Sequence, residues 1–128
     1  MIFSESLKKN KDFQRVYQRG ASKANRYLVL YCLENNISKN RLGISVSKKV
    51  GNSVVRHHLC RLIREGYRLN EMLFRSGYDL VVVVRPSAKG RSFHEIQSAL
   101  LHLMKLHQMH SELPAENREN EKNINRND

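Results

Sequence analysis

The amino-acid sequence predicts an α+β fold, in which one β-sheet is covered by helices. Apolar residues recur at spacings of three and four in three segments, which is the pattern of amphipathic helices. Three other segments have the apolar, β-branched character of strands. Their order along the chain is helix, strand, strand, helix, strand, helix, and a chain of 128 residues suits one such domain.

The first predicted helix covers residues 11–19, with Asn10 as its N-cap and Gly20 as a left-handed stop at its C-terminus. One face of this helix carries Phe13, Val16 and Tyr17. This spacing places the three side chains on the side that we expect to meet the sheet.

Two strands follow, at Arg26–Glu34 and Arg41–Lys48, separated by a polar turn at 35–40. Successive side chains of the first strand alternate between two faces, and both faces are apolar. In the second strand, one face carries Leu42, Ile44 and Val46. Because only a short polar loop separates them, we predict that the two strands pair as an antiparallel hairpin.

The run YDLVVVV at 78–84 is typical of a buried central strand, because it is rich in β-branched side chains. Before it, a long second helix is predicted from Asn52 or Ser53 to about Asn70. This helix links two strands of one sheet, and the general rule makes such a crossover parallel and right-handed.

The last predicted helix follows Ser92, its N-cap, and ends near His107. Its apolar positions are Ile96, Ala99, Leu100, Leu103, Met104 and Leu106. The Asn- and Glu-rich segment at 111–128 lacks a core pattern. We therefore expect residues 1–110 to form the domain and residues 111–128 to form a disordered tail.

The charge of the chain indicates a polyanionic partner. Lys and Arg number 23 against 12 Asp and Glu, a formal net charge of +11. Residues 1–110 hold 20 basic and 7 acidic side chains, whereas residues 111–128 hold 3 basic and 5 acidic ones. The excess therefore lies on the folded part, which favours nucleic acid first and an anionic membrane surface second.

Several other classes of protein are not expected. The longest apolar run, Leu28–Leu33, has six residues, against the roughly 20 that cross a bilayer. No secretory signal begins the sequence, and two cysteines do not make a disulfide scaffold, so we expect a reduced, cytoplasmic protein. The acids of residues 1–110 are scattered, and His102, His107 and His110 lie near no cysteine or carboxylate in sequence. We therefore expect neither a protein-borne nuclease site nor a metal site.

The second helix has one basic face. At 100° per residue, its four arginines and His57 lie within an arc of about 140°, opposite the apolar positions. Since Glu65 is the only acid between Arg41 and Arg68, ion pairs do not explain this arrangement. Arginine suits phosphate oxygens, and the turn before the helix offers backbone N–H groups. The predicted nucleic-acid face consists of Lys48, Lys49, Asn52, Arg56, His57, Arg61, Arg64 and Arg68. The alternative is an ordinary solvated helix face.

Aromatic residues form a second candidate feature. Phe13 and Tyr17 lie on the first helix, among basic residues, and Tyr31 lies on the first strand. Exposed aromatic rings beside positive charge can stack on unpaired bases. The alternative is that these rings only fill the core.

Several segments strongly resemble the protein subunit of bacterial ribonuclease P. They are SVSKKVGNSVVR and RLIRE, with DFQRVYQRG before them and YDLVVVVRP after them, and the match spans roughly residues 5–105. The family's arginine-asparagine-arginine motif falls on Arg56, His57 and His58, so only its first position matches. A position that is frequently basic in the family is Cys60 here. We expect His57 to donate a hydrogen bond, and we do not expect His58 or Cys60 to contact RNA.

The resemblance implies an αβββαβα sandwich with a mixed sheet and a left-handed strand–helix–strand crossover, in place of the right-handed one. It also implies a protein that is not itself catalytic. A large catalytic RNA, which holds Mg²⁺, removes the 5′ leader from precursor tRNA, and the basic helix docks on that RNA without a further protein partner. A cleft between the first helix and the sheet is expected to bind the single-stranded leader through Phe13, Tyr17, Tyr31, Lys48 and Arg85.

The alternative from another class is a structural or chaperone-like RNA-binding protein, such as a ribosomal one, with no role in cleavage. Such a protein would have a similar basic helix. It would not need an aromatic platform beside that helix, so the cleft is the feature that distinguishes the two hypotheses.

Overall fold

A computed structural model describes residues 3–111 of the chain. These residues form five strands and three helices, with 3₁₀ turns at 71–73 and 86–88. The elements in chain order are β1 (Ser4–Ser6), α1 (Asn10–Arg19), β2 (Ala21–Ala24), β3 (Leu28–Glu34), β4 (Asn40–Ser45), α2 (Ser53–Asn70), β5 (Tyr78–Val84) and α3 (Phe93–Leu106). Apart from Ser111, the predicted tail at 111–128 lies outside the described residues.

The strands form one mixed sheet in the order β1-β4-β5-β3-β2. β5 runs parallel to β4 and antiparallel to β3, and the edge strands β1 and β2 pair with β4 and β3. Leu80, Val81 and Val82 are fully buried, which confirms the valine-rich run as the central strand. The parallel β4–α2–β5 crossover is also confirmed, while its left-handed sense stays a prediction.

The predicted hairpin of the first two predicted strands, at Arg26–Glu34 and Arg41–Lys48, is wrong. β3 and β4 do not pair, because β5 lies between them and pairs with both. The polar turn between them crosses the end of β5, where the backbone N–H of Asn35 donates to the Gly77 carbonyl over 2.9 Å. A short loop permits a hairpin, but the β-branched strand that arrives later in the chain has two apolar faces to bury and takes the central place.

The two edge strands were not predicted. β1 and β2 are short, polar and largely exposed, so they lack the apolar alternation that marks a strand in sequence. The predicted bounds of their partners also shift, since β3 begins at Leu28 and β4 ends at Ser45. Edge strands of this kind are held by backbone pairing rather than by burial.

The helix ends confirm two predictions and correct two. Asn52 caps α2 by accepting a hydrogen bond from the Val55 amide over 3.0 Å, and Ser92 forms a capping box on α3. Asn10 is the first residue of α1 rather than its N-cap. Gly20 is extended, with φ of −76°, and is not a left-handed stop. A Cβ at Gly20 would lie 2.6 Å from the Val16 carbonyl oxygen. Glycine is therefore required here because the Val16 carbonyl leaves no room for a side chain.

The sheet separates two unequal cores. Leu59, Ile63 and Tyr67 of α2 are almost fully buried and pack with α3 against one face. On the other face, α1 fully buries only Val16. No helix within residues 3–111 is long and apolar enough to cross a membrane. Leu106, predicted on the apolar face of α3, is exposed, because it lies in the last turn of that helix.

A network of charged side chains attaches α1 to the sheet. Asp79 of β5 is 1% exposed and accepts two hydrogen bonds from Arg41 of β4, over 2.7 and 2.6 Å. The Arg41 guanidinium also lies 3.7 Å from the Asp12 carboxylate of α1. Arg15 of α1 bonds Asp12 over 2.8 Å and lies 3.6 Å from Asp79. The Asn35 side-chain amide also donates to Asp79. Arg15 and Arg41 together neutralise the Asp12 and Asp79 carboxylates.

We expect Asp79→Asn to lower the free energy of unfolding by about 3 kcal/mol, because it leaves Arg41 with half of its partners. Burial acts to raise the pKa of Asp79, but the hydrogen bonds from Arg41 and Asn35 and the nearby positive charges outweigh it, so the pKa lies below its usual range. Since the folded-state pKa is depressed, this stabilisation is present above about pH 4 and is lost as the pH falls further.

Urea unfolding of both proteins between pH 7 and pH 2.5 measures this effect. The difference in stability between them should shrink at the acid end. Glu5→Gln is the control, because Glu5 pairs with Lys39 at the exposed surface and should contribute little. A difference between wild type and Asp79→Asn that does not change with pH would contradict the network.

Candidate nucleic-acid interface

The basic face of α2 is presented to solvent. Arg61, Arg64, Arg68 and His57 are all exposed, because Leu59 and the other apolar residues hold the opposite side of the helix on the sheet. Arg61 and Arg64 form no ion pair with the described residues. Their guanidinium groups are therefore free to meet phosphate oxygens.

Arg56 differs from the other arginines of this face. It is half-buried, and its Nε atom is shielded from solvent without a hydrogen-bond partner among the described residues. Tyr67 lies about 20° from Arg56 at 100° per residue and is fully buried, so the apolar face is wider than the sequence predicts. Arg56 therefore stands at the margin of the basic face rather than within it.

Arg68 is paired, contrary to the expectation that no acid would neutralise these arginines. Its Nη2 and Nε atoms donate to the two oxygens of Glu65 over 2.5 and 3.0 Å. The hydrogen bonds from Arg68 hold the pKa of the Glu65 carboxyl below its usual range. Both side chains are about half exposed, at 50% and 47%, so water and salt screen the pair.

A groove beside α2 adds residues that sequence reasoning missed. It has a volume of about 580 Å³, and Ser6 and Lys8 form one wall of it. The opposite wall is made by Arg61, Arg64, Glu65 and Arg68. β1 brings Lys8 into this position by pairing with β4, and no apolar pattern in the sequence signals that strand.

The turn before α2 carries the remaining residues of the predicted face. Lys48 and Lys49 are exposed on this turn, which follows the end of β4. The Asn52 side chain already accepts the Val55 amide as a cap, and its carbonyl accepts the Arg56 amide. The amides of the first two helical residues are the ones left for an anion.

The structure brings the three predicted aromatic residues together as one cluster, which we call the aromatic cluster (Phe13, Tyr17 and Tyr31). The ring centroids of Phe13 and Tyr17 lie 6.3 Å apart, and those of Tyr17 and Tyr31 lie 5.1 Å apart at an interplanar angle of 74°. All three rings are half-buried against the α1 face of the sheet. Each ring is therefore held by packing and keeps part of its surface open.

Gly43 of β4 makes room for this cluster. A Cβ atom at this position would lie only 2.6 Å from Cζ of Phe13. The ring of Phe13 thus lies directly on the backbone of the sheet, which only glycine permits. The alternation of the second predicted strand placed Gly43 on the face opposite Leu42, but nothing in the sequence indicated which ring would cover it.

Lys48 and Arg85 lie at one end of the sheet, beyond the aromatic cluster. They follow the ends of the parallel strands β4 and β5, so they share an edge. Arg85 stands four residues after Val81, which pairs with Tyr31, a distance of about 13 Å along an extended strand. Its guanidinium donates to the Asn25 carbonyl over 2.8 Å, so Arg85 is tied to the turn before β3.

The described residues contain no group of three or more His, Cys, Asp or Glu that could hold a metal ion. His102 lies 3.2 Å from the Asn25 amide, and His107 contacts the Leu30 carbonyl over 2.6 Å. Burial lowers the pKa of His107. Burial also raises the pKa of the Cys32 thiol to about 12, and it raises that of Cys60 despite the nearby arginines.

Comparison with known proteins identifies the family. A family model for Ribonuclease P matches residues 2–108. The ribonuclease P protein component of Lachnoclostridium phytofermentans is 59% identical over 106 residues, which are 83% of this chain and 91% of that protein. The component from Alkaliphilus metalliredigens is 51% identical over 105 residues, covering 82% and 95% of the two chains.

Solved structures agree with this assignment. The ribonuclease P protein of Staphylococcus aureus superposes with a TM-score of 0.77 at 41% identity, over 83% of this chain and 97% of that one. The protein from Thermotoga maritima gives a TM-score of 0.74 at 32% identity, over 79% and 96%. The match in sequence and the match in fold cover the same domain, and this chain belongs to the ribonuclease P protein family.

Proposed function

We propose that this chain is the protein component of ribonuclease P, which binds the catalytic RNA and the 5′ leader of precursor tRNA and assists removal of the leader. One observation carries the proposal: the basic face of α2 and the aromatic cluster lie on elements that pack against opposite faces of one sheet. Two RNA segments of different character can therefore bind at the same time.

The basic face is suited to a folded RNA. Arg61 and Arg64 present planar guanidinium groups that form no ion pair within residues 3–111, and Lys8 lines the same groove. Such groups neutralise phosphates and release condensed counterions, so binding is strong at low salt and weakens as salt rises. The catalytic RNA and the precursor tRNA are both polyanions and repel each other in the complex. A protein of net charge +11 lowers this repulsion.

The aromatic cluster is suited to a single strand. Its rings offer π-faces, and every base can stack on such a face, so binding tolerates the differing sequences of leaders. Lys48 and Arg85 follow the parallel strands β4 and β5 at one end of the sheet, and their charges are suited to the phosphates of a strand that continues beyond the cluster. A structural RNA-binding protein with no role in cleavage has no need of this second surface.

The protein does not supply the catalytic metal in this proposal. The carboxylates of Asp12 and Asp79, which share arginine partners, are already neutralised by Arg15 and Arg41, so they are not available as ligands for Mg²⁺. We assign Mg²⁺ and the cleavage chemistry to the RNA subunit. We also propose that the protein acts in the cytoplasm and requires no second protein.

Reconstitution tests the proposal. The chain is mixed with a bacterial ribonuclease P RNA at low Mg²⁺, and cleavage of precursor tRNA is followed. The protein should accelerate cleavage at the 5′ end of the mature tRNA and should cut nothing alone. Cleavage by the protein alone, or no effect on the RNA, would contradict the proposed function.

Arg61→Ala and Arg64→Ala should each weaken assembly with the catalytic RNA. Each should also reduce the slope of log affinity against log salt by about one, because one phosphate contact is lost. Filter binding at several salt concentrations measures both quantities. Lys23→Ala is the matched control, since Lys23 is exposed on the edge strand β2. An unchanged salt slope for the arginine variants would show that the RNA binds a different surface.

Phe13→Ala should weaken binding of precursor tRNA to the assembled enzyme by about 1–3 kcal/mol, the worth of one stacked base. Binding of mature tRNA, which has no leader, should hardly change. Equal losses for the two substrates would show that the aromatic cluster does not bind the leader.

Gly43→Ala tests the geometry of the cluster without removing a ring. The added methyl group would overlap the Phe13 ring, which must move outward because the backbone beneath it cannot. We expect weaker binding of precursor tRNA with mature tRNA unaffected, as for Phe13→Ala. If affinity for precursor tRNA is unchanged, the position of the ring is not what binding requires.

A further inference from the structure

Two arginines flank the ring of Tyr27 at a surface outside both sites described above. The guanidinium carbons of Arg26 and Arg91 lie 5.5 and 5.8 Å from the centroid of the ring. Both arginines are exposed, and Tyr27 is half-buried. Contact with the ring orders the two guanidinium groups while leaving their N–H donors available. We call this surface the Tyr27 cluster (Arg26, Tyr27 and Arg91).

The backbone beneath the Tyr27 cluster is tightly held. The side-chain oxygen of Asn25 accepts from the Tyr27 and Leu28 amides, and its amide donates to the Ala99 carbonyl of α3. Ser87 donates to the Arg26 carbonyl over 2.5 Å. The turn before β3 is thereby joined to the loop after β5 and to α3, so the cluster is preorganised for a ligand.

The Tyr27 cluster has excess positive charge. Segment 85–91 contributes three basic residues and no acid. Glu95 is the nearby carboxylate, and the capping box of α3 already uses it. The Glu95 carboxylate lies 3.8 Å from the Arg91 guanidinium and accepts from the Tyr27 hydroxyl over 3.4 Å, so it offsets one of the two arginine charges. A polyanion would complete this surface.

A cleft of about 360 Å³ opens beside the ring of Tyr27. His94, Ser98 and His102 of α3 line it together with Arg26. Glu95 and Ala99 also line the cleft, and most of its exposed lining is apolar, so it suits a base or a ribose beside the Arg26 guanidinium.

The position of the Tyr27 cluster indicates which RNA it meets. Tyr27 packs against the core beneath α2 and α3, on the side away from the aromatic cluster. The pairing of Leu28 with Val84, and of Ser45 with Val83, places the cluster and the start of α2 at the same end of the sheet. Lys48 and Lys49, in the turn before α2, therefore lie at the same end of the sheet as the cluster.

We infer that the Tyr27 cluster is a second phosphate-binding surface for the catalytic RNA, separate from the basic face of α2. A folded RNA would contact α2 with one segment and the Tyr27 cluster with another. The inference depends on the proposed function for the identity of this RNA, and the three residues of the Tyr27 cluster lie outside the residues assigned to that function.

The test is the affinity of the double variant Arg26→Ala/Arg91→Ala for ribonuclease P RNA alone, measured across a range of salt concentrations. We expect affinity to fall about tenfold near 0.15 M salt, and the salt slope to fall by about 1.5 to 2, for two lost phosphate contacts. Tyr27→Leu keeps the charges and removes the ring that orders them. It should therefore weaken binding of the RNA while the salt slope stays equal to that of the wild type.

Lys23→Ala/Lys105→Ala is the charge-matched control, because both lysines are exposed elsewhere. Equal losses of RNA affinity in the control and in Arg26→Ala/Arg91→Ala would overturn the inference. An unchanged RNA affinity of Arg26→Ala/Arg91→Ala would overturn it as well. A loss seen only with precursor tRNA would assign the surface to the substrate and also overturn it. The Arg61→Ala/Arg64→Ala variant, measured in parallel, shows separately whether the basic face of α2 binds.

Discussion

A carboxylate buried in a sheet has to be neutralised, and in this protein that requirement determines where the first helix lies. Asp79 is almost inaccessible to solvent and depends on Arg41, and Arg41 in turn approaches Asp12 of α1. α1 buries one apolar residue completely, so packing alone gives it little hold on the sheet. Because Asp12 immediately precedes Phe13, the charge network that attaches the helix also sets the position of the aromatic cluster.

The central strand separates two kinds of RNA binding. On one side, α2 and α3 share an extensive apolar core, and α2 can devote its outer face to arginines. On the other side, the smaller core leaves three aromatic rings only half covered. A polar network is an appropriate attachment for that side, because a larger apolar contact would have buried the rings that a base must reach.

Local signals in the sequence predicted much of this structure, and features that depend on distant residues were missed. Short stretches of sequence encode the caps at Asn52 and Ser92, the valine-rich β5 and the arginine stripe of α2. The β3–β4 hairpin was wrong because β5, which separates those strands, comes much later in sequence. The pairing of Asp79 with Arg41 and the contact of Arg91 with the Tyr27 ring likewise join residues far apart along the chain, and no spacing rule identifies them.

The most direct test of this account is a double-mutant cycle between Asp12→Asn and Phe13→Ala. The measured quantity is the affinity of the assembled enzyme for precursor tRNA relative to mature tRNA, with thermal unfolding as a check that each variant is folded. If Asp12 acts by positioning the ring, Asp12→Asn will reduce this ratio in the wild type and will have no further effect once Phe13 is alanine. Losses that simply add would contradict the account, because they would show that the network and the aromatic cluster act independently.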